Sequence, residues 1–387
     1  MTHATGPEAR RRREDDDELA AFLESVRKFV ASEIEPHVDA WEEAGEFPRE
    51  LYQKAGALGL LAVGYPEEFG GVPGDSRWLI AITEALARAG SGGVVAGLLS
   101  HGIGAPPIAK LGRPALKERA LPPILTGDKI SALAVTEPGG GSDVANLATT
   151  ARREGDHYVV NGSKMFITSG MRADYITTAV RTGGDGAGGV SLLVIEGDTP
   201  GLTRTSLKKM GWWCSDTAAL YFDDCKVPVE NLLGEENQGF FGLMQNFNNE
   251  RLMIAAMAVA FSQVCLDESL AYARARQTFG RPLIQRQVIR HRLVDMMTRI
   301  RAARCFLTDV AAKVDAGAWP IAEVCMLKNA ATRCLEQCAD DAVQLFGGAG
   351  YMRGVKVERI YRETKVLSIG GGASEIMKEL AARQLGW

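Results

Sequence analysis

The chain has 387 residues, 46% hydrophobic and 24% charged, with a formal net charge of -4. That balance supports a large buried core spread over two or three domains. It excludes a disordered chain and a nucleic-acid protein that works through a basic surface. No uninterrupted run of 18 apolar residues is present, so no spanning helix and no membrane are expected, and seven scattered cysteines argue for a reducing, cytoplasmic setting.

Residues 1–17 read as a disordered tail, because Arg10 to Arg13 and the acidic run Glu14 to Glu18 offer no apolar residue to pack. The same stretch lacks the apolar core of a secretory signal. Residues 18–128 read as a helical domain. Leu19, Phe22, Val26, Phe29 and Val30 recur mostly at spacings of three and four, and Pro48 opens a second helix with Leu51, Ala55 and Leu58 inward. A turn-rich link follows at 65–75, and helical periodicity resumes over 78–86 and, less cleanly, over 98–111 and 115–125.

Near Lys129 the period changes to two. Short β-rich runs at 130–136, 158–160, 165–168, 175–180, 190–195 and 218–222 predict an antiparallel barrel or sandwich over 129–236. Asn161-Gly162 reads as a hairpin turn, and Thr182 to Gly189 as a glycine-rich hairpin loop. From 237 to 387 the helical period returns. Ile289, Leu293, Met297, Ile300, Ala303, Leu307, Val310 and Val314 mark a long bundle helix, with others over 240–277, 321–346 and 373–384. The fold class is therefore α+β multidomain, in the order α, β, α, with no alternating βαβ units and no parallel dinucleotide sheet.

The 43 glycines are clustered. Thr136-Glu137-Pro138-Gly139-Gly140-Gly141-Ser142-Asp143 follows a strand and could aim backbone N–H groups at a ligand, or be a wide turn. Asn161 to Lys164 leads into Met165-Phe166-Ile167-Thr168, an aromatic face beside a hydroxyl, or ordinary strand packing. Gln344-Leu345-Phe346-Gly347-Gly348-Ala349-Gly350 has more glycine than a helix cap needs. Gly370-Gly371-Gly372-Ala373-Ser374-Glu375 precedes the last helix, whose free N–H groups suit a pyrophosphate or simply a capped start. Arg276-Gln277-Thr278-Phe279-Gly280-Arg281 could bind phosphate, or its arginines could only complement a helix dipole. The five histidines are far apart, and Cys334 and Cys338 read as core, so no metal site is expected. There is no nucleophile elbow and no P-loop. The residues alone thus describe a chain that holds a nucleotide-like cofactor through backbone amides, with the chemistry open.

In their order the segments are specific. Val135 to Asp143, Asn161 to Thr168, Lys209-Met210-Gly211, Gln277 to Leu283, Gln344 to Gly350, and Tyr361-Arg362-Glu363 through Ile376 resemble the acyl-CoA dehydrogenase family, from about Glu18 to Trp387. The resemblance implies an N-terminal helical domain, a middle β domain and a C-terminal four-helix bundle, assembled as a homo-oligomer, usually a tetramer. It implies non-covalent FAD, flanked by Val135, Thr136, Ser142 and Phe166-Ile167-Thr168. Arg276, Gln277, Thr278, Phe279 and Gln287 would hold its pyrophosphate and adenosine portion, with Gln344, Leu345, Phe346, Gly347 and Gly348 reaching it across a subunit interface and Ala373, Ser374 and Glu375 near the last helix. Ser142, Asn248, Asn249, Arg251, Gly371 and Gly372 would contact acyl-CoA. The implied reaction, in fatty-acid β-oxidation or branched-chain catabolism, removes an α-proton and a β-hydride to give the trans-2-enoyl-CoA. A backbone N–H and a ribityl hydroxyl of FAD polarise the thioester, and electrons go to an electron-transfer flavoprotein.

One departure sets the mechanism. Many relatives carry the catalytic Glu where this chain has Gly371. The isovaleryl- and long-chain-type members place it directly before the substrate-binding Arg, which here is Glu250-Arg251. The base is therefore expected at Glu250, with a raised pKa beside an apolar acyl chain; the bland alternative is an ion partner of Arg251. Competing readings are a flavin oxidase or monooxygenase on the same fold, a non-catalytic flavoprotein, and a helical structural protein without cofactor.

Overall fold

The computed structural model describes residues 7–387, with side chains from Asp15 onward. Eight helices come first: α1 (Pro7–Phe29), α2 (Val38–Ala44), α3 (Glu50–Ala57), α4 (Ser76–Ala87), α5 (Gly92–Leu98), α6 (His101–Gly104), α7 (Pro106–Leu111) and α8 (Pro114–Leu125). The stretch read as a tail is helical from Pro7; residues 1–6 lie outside the described residues. The acidic block has a cation to pack against, which the charge pattern did not reveal. Arg77 binds Asp15 and Asp16, and the Trp78 indole donates to Asp15 at 3.3 Å. Asp75 caps α4, accepting from the N–H of Arg77 and Trp78.

The middle domain is one eight-stranded sheet of β1 (Ser131–Ala134), β2 (Thr150–Glu154), β3 (His157–Thr168), β4 (Tyr175–Arg181), β5 (Val190–Glu196), β6 (Leu202–Ser206), β7 (Thr217–Pro228) and β8 (Leu232–Leu233), in the order β6-β7-β3-β2-β4-β5-β8. It is mixed and not purely antiparallel, because β1 lies parallel along β4. The intervening chain is long enough for that crossover. β4 and β5 are buried on both faces. Ile176, Leu193 and Ile195 enter one core, while Tyr175, Leu192 and Val194 pack toward Ile108, Leu116 and Leu121 of α7 and α8. Asn161-Gly162 is not a hairpin turn. It is an irregularity inside β3, with Gly162 at φ +144°, where a Cβ would meet the Thr149 backbone at 2.7 Å.

The C-terminal half holds α9 (Gly239–Ala275), a hairpin of β9 (Gln277–Thr278) and β10 (Arg281–Pro282), α10 (Gln287–Asp315), α11 (Ile321–Phe346), α12 (Lys356–Ile369) and α13 (Ser374–Gln384). By length and composition α9 could cross a membrane, but 72% of its apolar window is buried inside the protein, as a bundle core helix requires. On α10 the inward methionine is Met296; Met297, expected inside, is exposed. One continuous core joins Val26, Leu86 and Val94 to Phe261, Leu327 and Ile360. At this junction Arg362 of α12 donates to Glu42 of α2 at 3.1 Å and lies over the Trp213 ring. Glu363 accepts from the N–H of Gly92 at 2.8 Å and of Trp212 at 3.2 Å. The acid cluster thus ties together the N-terminal helices, the β6–β7 loop and the bundle. All seven cysteines are unpaired.

Candidate active site

α12 ends on Gly370, whose N–H returns to the Val366 carbonyl at 2.7 Å. Gly371 (φ +65°) and Gly372 (φ +108°) then turn the chain into α13 through backbone that side chains resist. α9 passes this turn with Asn248, Glu250, Arg251 and Ile254. Arg251 Nε donates to the Gly371 carbonyl at 3.0 Å, and its Nη1 to Asn248 Oδ1 at 3.2 Å. Lys328 of α11, fully buried, donates to the Gly372 carbonyl at 2.5 Å, and Asn329 to the Ser374 carbonyl at 3.0 Å. Half-buried Glu250 has Oε1 3.8 Å from the point where a Cβ on Gly371 would stand. Burial pushes its carboxyl up to about 7, against the pull of Arg251 and Lys328. Burial, aided by Arg251, likewise brings Lys328 down to about 8. A carboxylate that titrates near neutrality beside a strained glycine turn can take and hold a proton.

A second group of predicted residues gathers where β1 meets β3. The Met165 N–H donates to the Thr136 carbonyl at 2.8 Å, which sets Val135 and Thr136 beside Phe166, Ile167 and Thr168. Beneath them Lys164, fully buried, binds Glu137 at 2.7 Å and the Val135 carbonyl at 3.0 Å. Glu137 also accepts from the N–H of Ala148 and Thr149. Burial acts to raise Glu137, but Lys164 and these donors hold it below its ordinary value. Phe166 adopts φ +63° and holds its ring 68% exposed.

The third group lies at the end of α9. Tyr272 stacks on Phe346 at 4.1 Å and donates to its carbonyl at 3.3 Å, which links Gln344 to Gly348 with the segment after Arg276. Phe279 is left-handed (φ +49°) and 96% exposed, with Arg286 5.3 Å from its ring. A Cβ on Gly347 or Gly348 would meet nothing within 4 Å. Each group offers part of what FAD needs: Phe166 an outward ring on strained backbone for a planar group, and Phe279 a second such ring with open glycine backbone and the exposed Arg276 for a part that carries phosphates.

Other predicted residues stand apart. Ser142 lies on an exposed turn closed by Glu137 and Gly140, and among the described residues no hydrogen bond joins it to Asn248 or Arg251. Asn249, Gln277, Gln287 and Glu375 are exposed, while Thr278 forms the hairpin and passes its carbonyl to Arg286. Ala373 caps α13 without a side-chain bond, and the Ser374 hydroxyl returns to the Ser368 carbonyl. Sequence reasoning missed Lys328, Ile254 and the Glu137–Lys164 pair. A lysine amid Val324, Leu327, Ala331 and Leu335 on an apolar helix face was the available signal.

The descriptions acyl-CoA dehydrogenase N-terminal, middle and C-terminal domain match residues 16–128, 132–225 and 237–386 respectively. The chain is 38% identical to the long-chain specific acyl-CoA dehydrogenase, mitochondrial, of Sus scrofa, over 94% of this chain and 85% of that one. The structure of an acyl-CoA dehydrogenase from Geobacillus kaustophilus superposes with a TM-score of 0.92 at 40% identity, covering 96% of this chain and 98% of the other. An acyl-CoA dehydrogenase complexed with FAD from Bacillus anthracis superposes with a TM-score of 0.89 at 30% identity, covering 95% and 66%. The chain belongs to the acyl-CoA dehydrogenase family. It is an oxidoreductase that acts on acyl-CoA and uses FAD.

Proposed function

We propose that the protein dehydrogenates an acyl-CoA across its α and β carbons to the trans-2-enoyl-CoA, with Glu250 as the base. The carrying observation is the carboxyl of Glu250, pushed to about 7, beside a turn whose own residue, Gly371, has no side chain to act. Glu250 takes the α-proton, Arg251 steadies the turn, and the Gly371 N–H is offered to the thioester oxygen, where donors stabilise the charge that forms as the proton leaves. FAD, when bound, supplies the acceptor for the β-hydride. Val135, Thr136 and Phe166 to Thr168 would hold its ring, and Arg276 to Phe279 with Gln344 to Gly348 the remainder.

The missing side chain at Gly370 favours a long or branched acyl group, in line with the likeness to a long-chain specific relative. An electron-transfer flavoprotein is the acceptor that the family resemblance implies, in fatty-acid or branched-chain catabolism within the cytoplasm. A homotetramer is supported by exposed Phe279, Tyr351, Met352, Tyr361 and Ile369.

Glu250→Gln should lower turnover about 100- to 10,000-fold while FAD stays bound. Anaerobic flavin bleaching over a panel of acyl-CoA chain lengths reads both the loss and the substrate preference; turnover near the unaltered rate overturns the assignment. Because the base must be ionised, the rate of the unaltered enzyme should rise as pH passes through about 7.

A further inference from the structure

Lys328 is an expensive residue to keep where it is. Its side chain is fully buried in α11, and its ammonium ends on one backbone oxygen, the Gly372 carbonyl at 2.5 Å. The neighbouring carbonyl, that of Gly371, is taken by Arg251 at 3.0 Å. Two cations from two helices therefore hold two consecutive carbonyls of one turn. Peptide planes are trans here, so each held carbonyl presents an N–H on its opposite edge, that of Gly372 and that of Ala373. Among the described residues, the N–H groups of Gly371, Gly372 and Ala373 donate to nothing. A cation on the carbonyl oxygen also strengthens the N–H of the same peptide.

We propose that Lys328 is a positioning residue for the dehydrogenation: with Arg251 it clamps the carbonyls of the glycine turn, so that the N–H side of that turn is the side the substrate's thioester oxygen meets. This rests on the reading of the turn given under Proposed function. Lys328 touches no substrate; its hold on the Gly372 carbonyl, beside that of Arg251 on the Gly371 carbonyl, fixes the turn on which the Gly371 N–H stands. It is also one of two cations that lower Glu250, the other being Arg251, with the Cys325 thiol as a further titratable neighbour.

The test compares two ligands on the FAD-loaded enzyme. Acetoacetyl-CoA carries an enolisable carbonyl at the reacting position, and an S-alkyl-CoA thioether of equal length lacks the thioester oxygen. Lys328→Met should weaken acetoacetyl-CoA at least tenfold and the thioether less than twofold, and Lys328→Arg should recover part of the loss. The acid limb of kcat/KM should move to higher pH in Lys328→Met, because one cation near Glu250 is gone. Equal weakening of both ligands, or of neither, overturns the proposal. If Lys328→Met does not retain FAD, Lys328→Gln is read with the same pair of ligands and the same criteria. Unaltered enzyme that shows no preference for acetoacetyl-CoA overturns the reading of the turn itself, whereas a preference undiminished in Lys328→Met overturns the role of Lys328 alone.

Discussion

Gly371 is held as glycine by two separate restraints. Its φ of +65° is one that side chains resist, and a Cβ there would stand 2.5 Å from Ile254 Cδ1. The space that a carboxylate at 371 would need is therefore partly filled by an isoleucine one turn along from Glu250. Moving the base is not a two-residue exchange. Glu250→Gly with Gly371→Glu should recover only a small part of turnover. Adding Ile254→Ala, which removes the far end of that side chain, should raise the recovered rate several-fold in the same assay. A triple variant no faster than the double would show that Ile254 does not restrain the position.

Among the elements, β3 concentrates the demands. Within twelve residues it contains an irregularity at Gly162, a buried cation at Lys164 and an outward ring at Phe166. Lys164→Met should destabilise the protein by about 3–5 kcal/mol, since Glu137 would remain buried beside Ala148 and Thr149 without its cation. Urea midpoints measure this, and adding Glu137→Gln should return part of the loss. β3 also shows where the sequence could be read and where it could not. Its alternating apolar residues announced a strand, but Asn161-Gly162 carries the same letters in a bulge as in a turn. β2, Thr-Ala-Arg-Arg-Glu, is mostly exposed and gave no apolar signal. α12 hid for the opposite reason: Arg359, Glu363 and Thr364 occupy buried positions, so its inward face does not look apolar. At the site, Glu250 and Arg251 were legible through family resemblance. Lys328 was not, because only the packing of α11 against the glycine turn brings it there.

Across the whole molecule, the acid cluster between α2, α5, the β6–β7 loop and α12 couples stability to pH. Burial, with Glu42 adding to it, raises Glu363 to about 8, above the ordinary value of 4.5, despite donors from Gly92 and the cations Arg362 and Arg359. A carboxyl raised in the folded state binds its proton more tightly there than in the unfolded chain. Its contribution is therefore complete below pH 4.5 and is lost as pH rises through about 8. Glu363→Gln keeps a neutral group in place and should flatten the decline of Tm between pH 5.5 and pH 8.5. Thermal melts of the two proteins across that range check it, and parallel slopes would remove Glu363 as the cause.

The tie between Glu42 and Arg362 also has a temporal side. The two residues are 320 positions apart, so on the ribosome the carboxylate is made long before its cation. Until α12 emerges, the first domain carries an acid at a place that folding will bury, with its intended partner still unmade. The glycine turn lies directly after that helix, so α12 that has found its acid delivers Gly371 and Gly372 to Glu250. The reactive geometry therefore forms only after α12 has been made, once it has met a helix of the first domain.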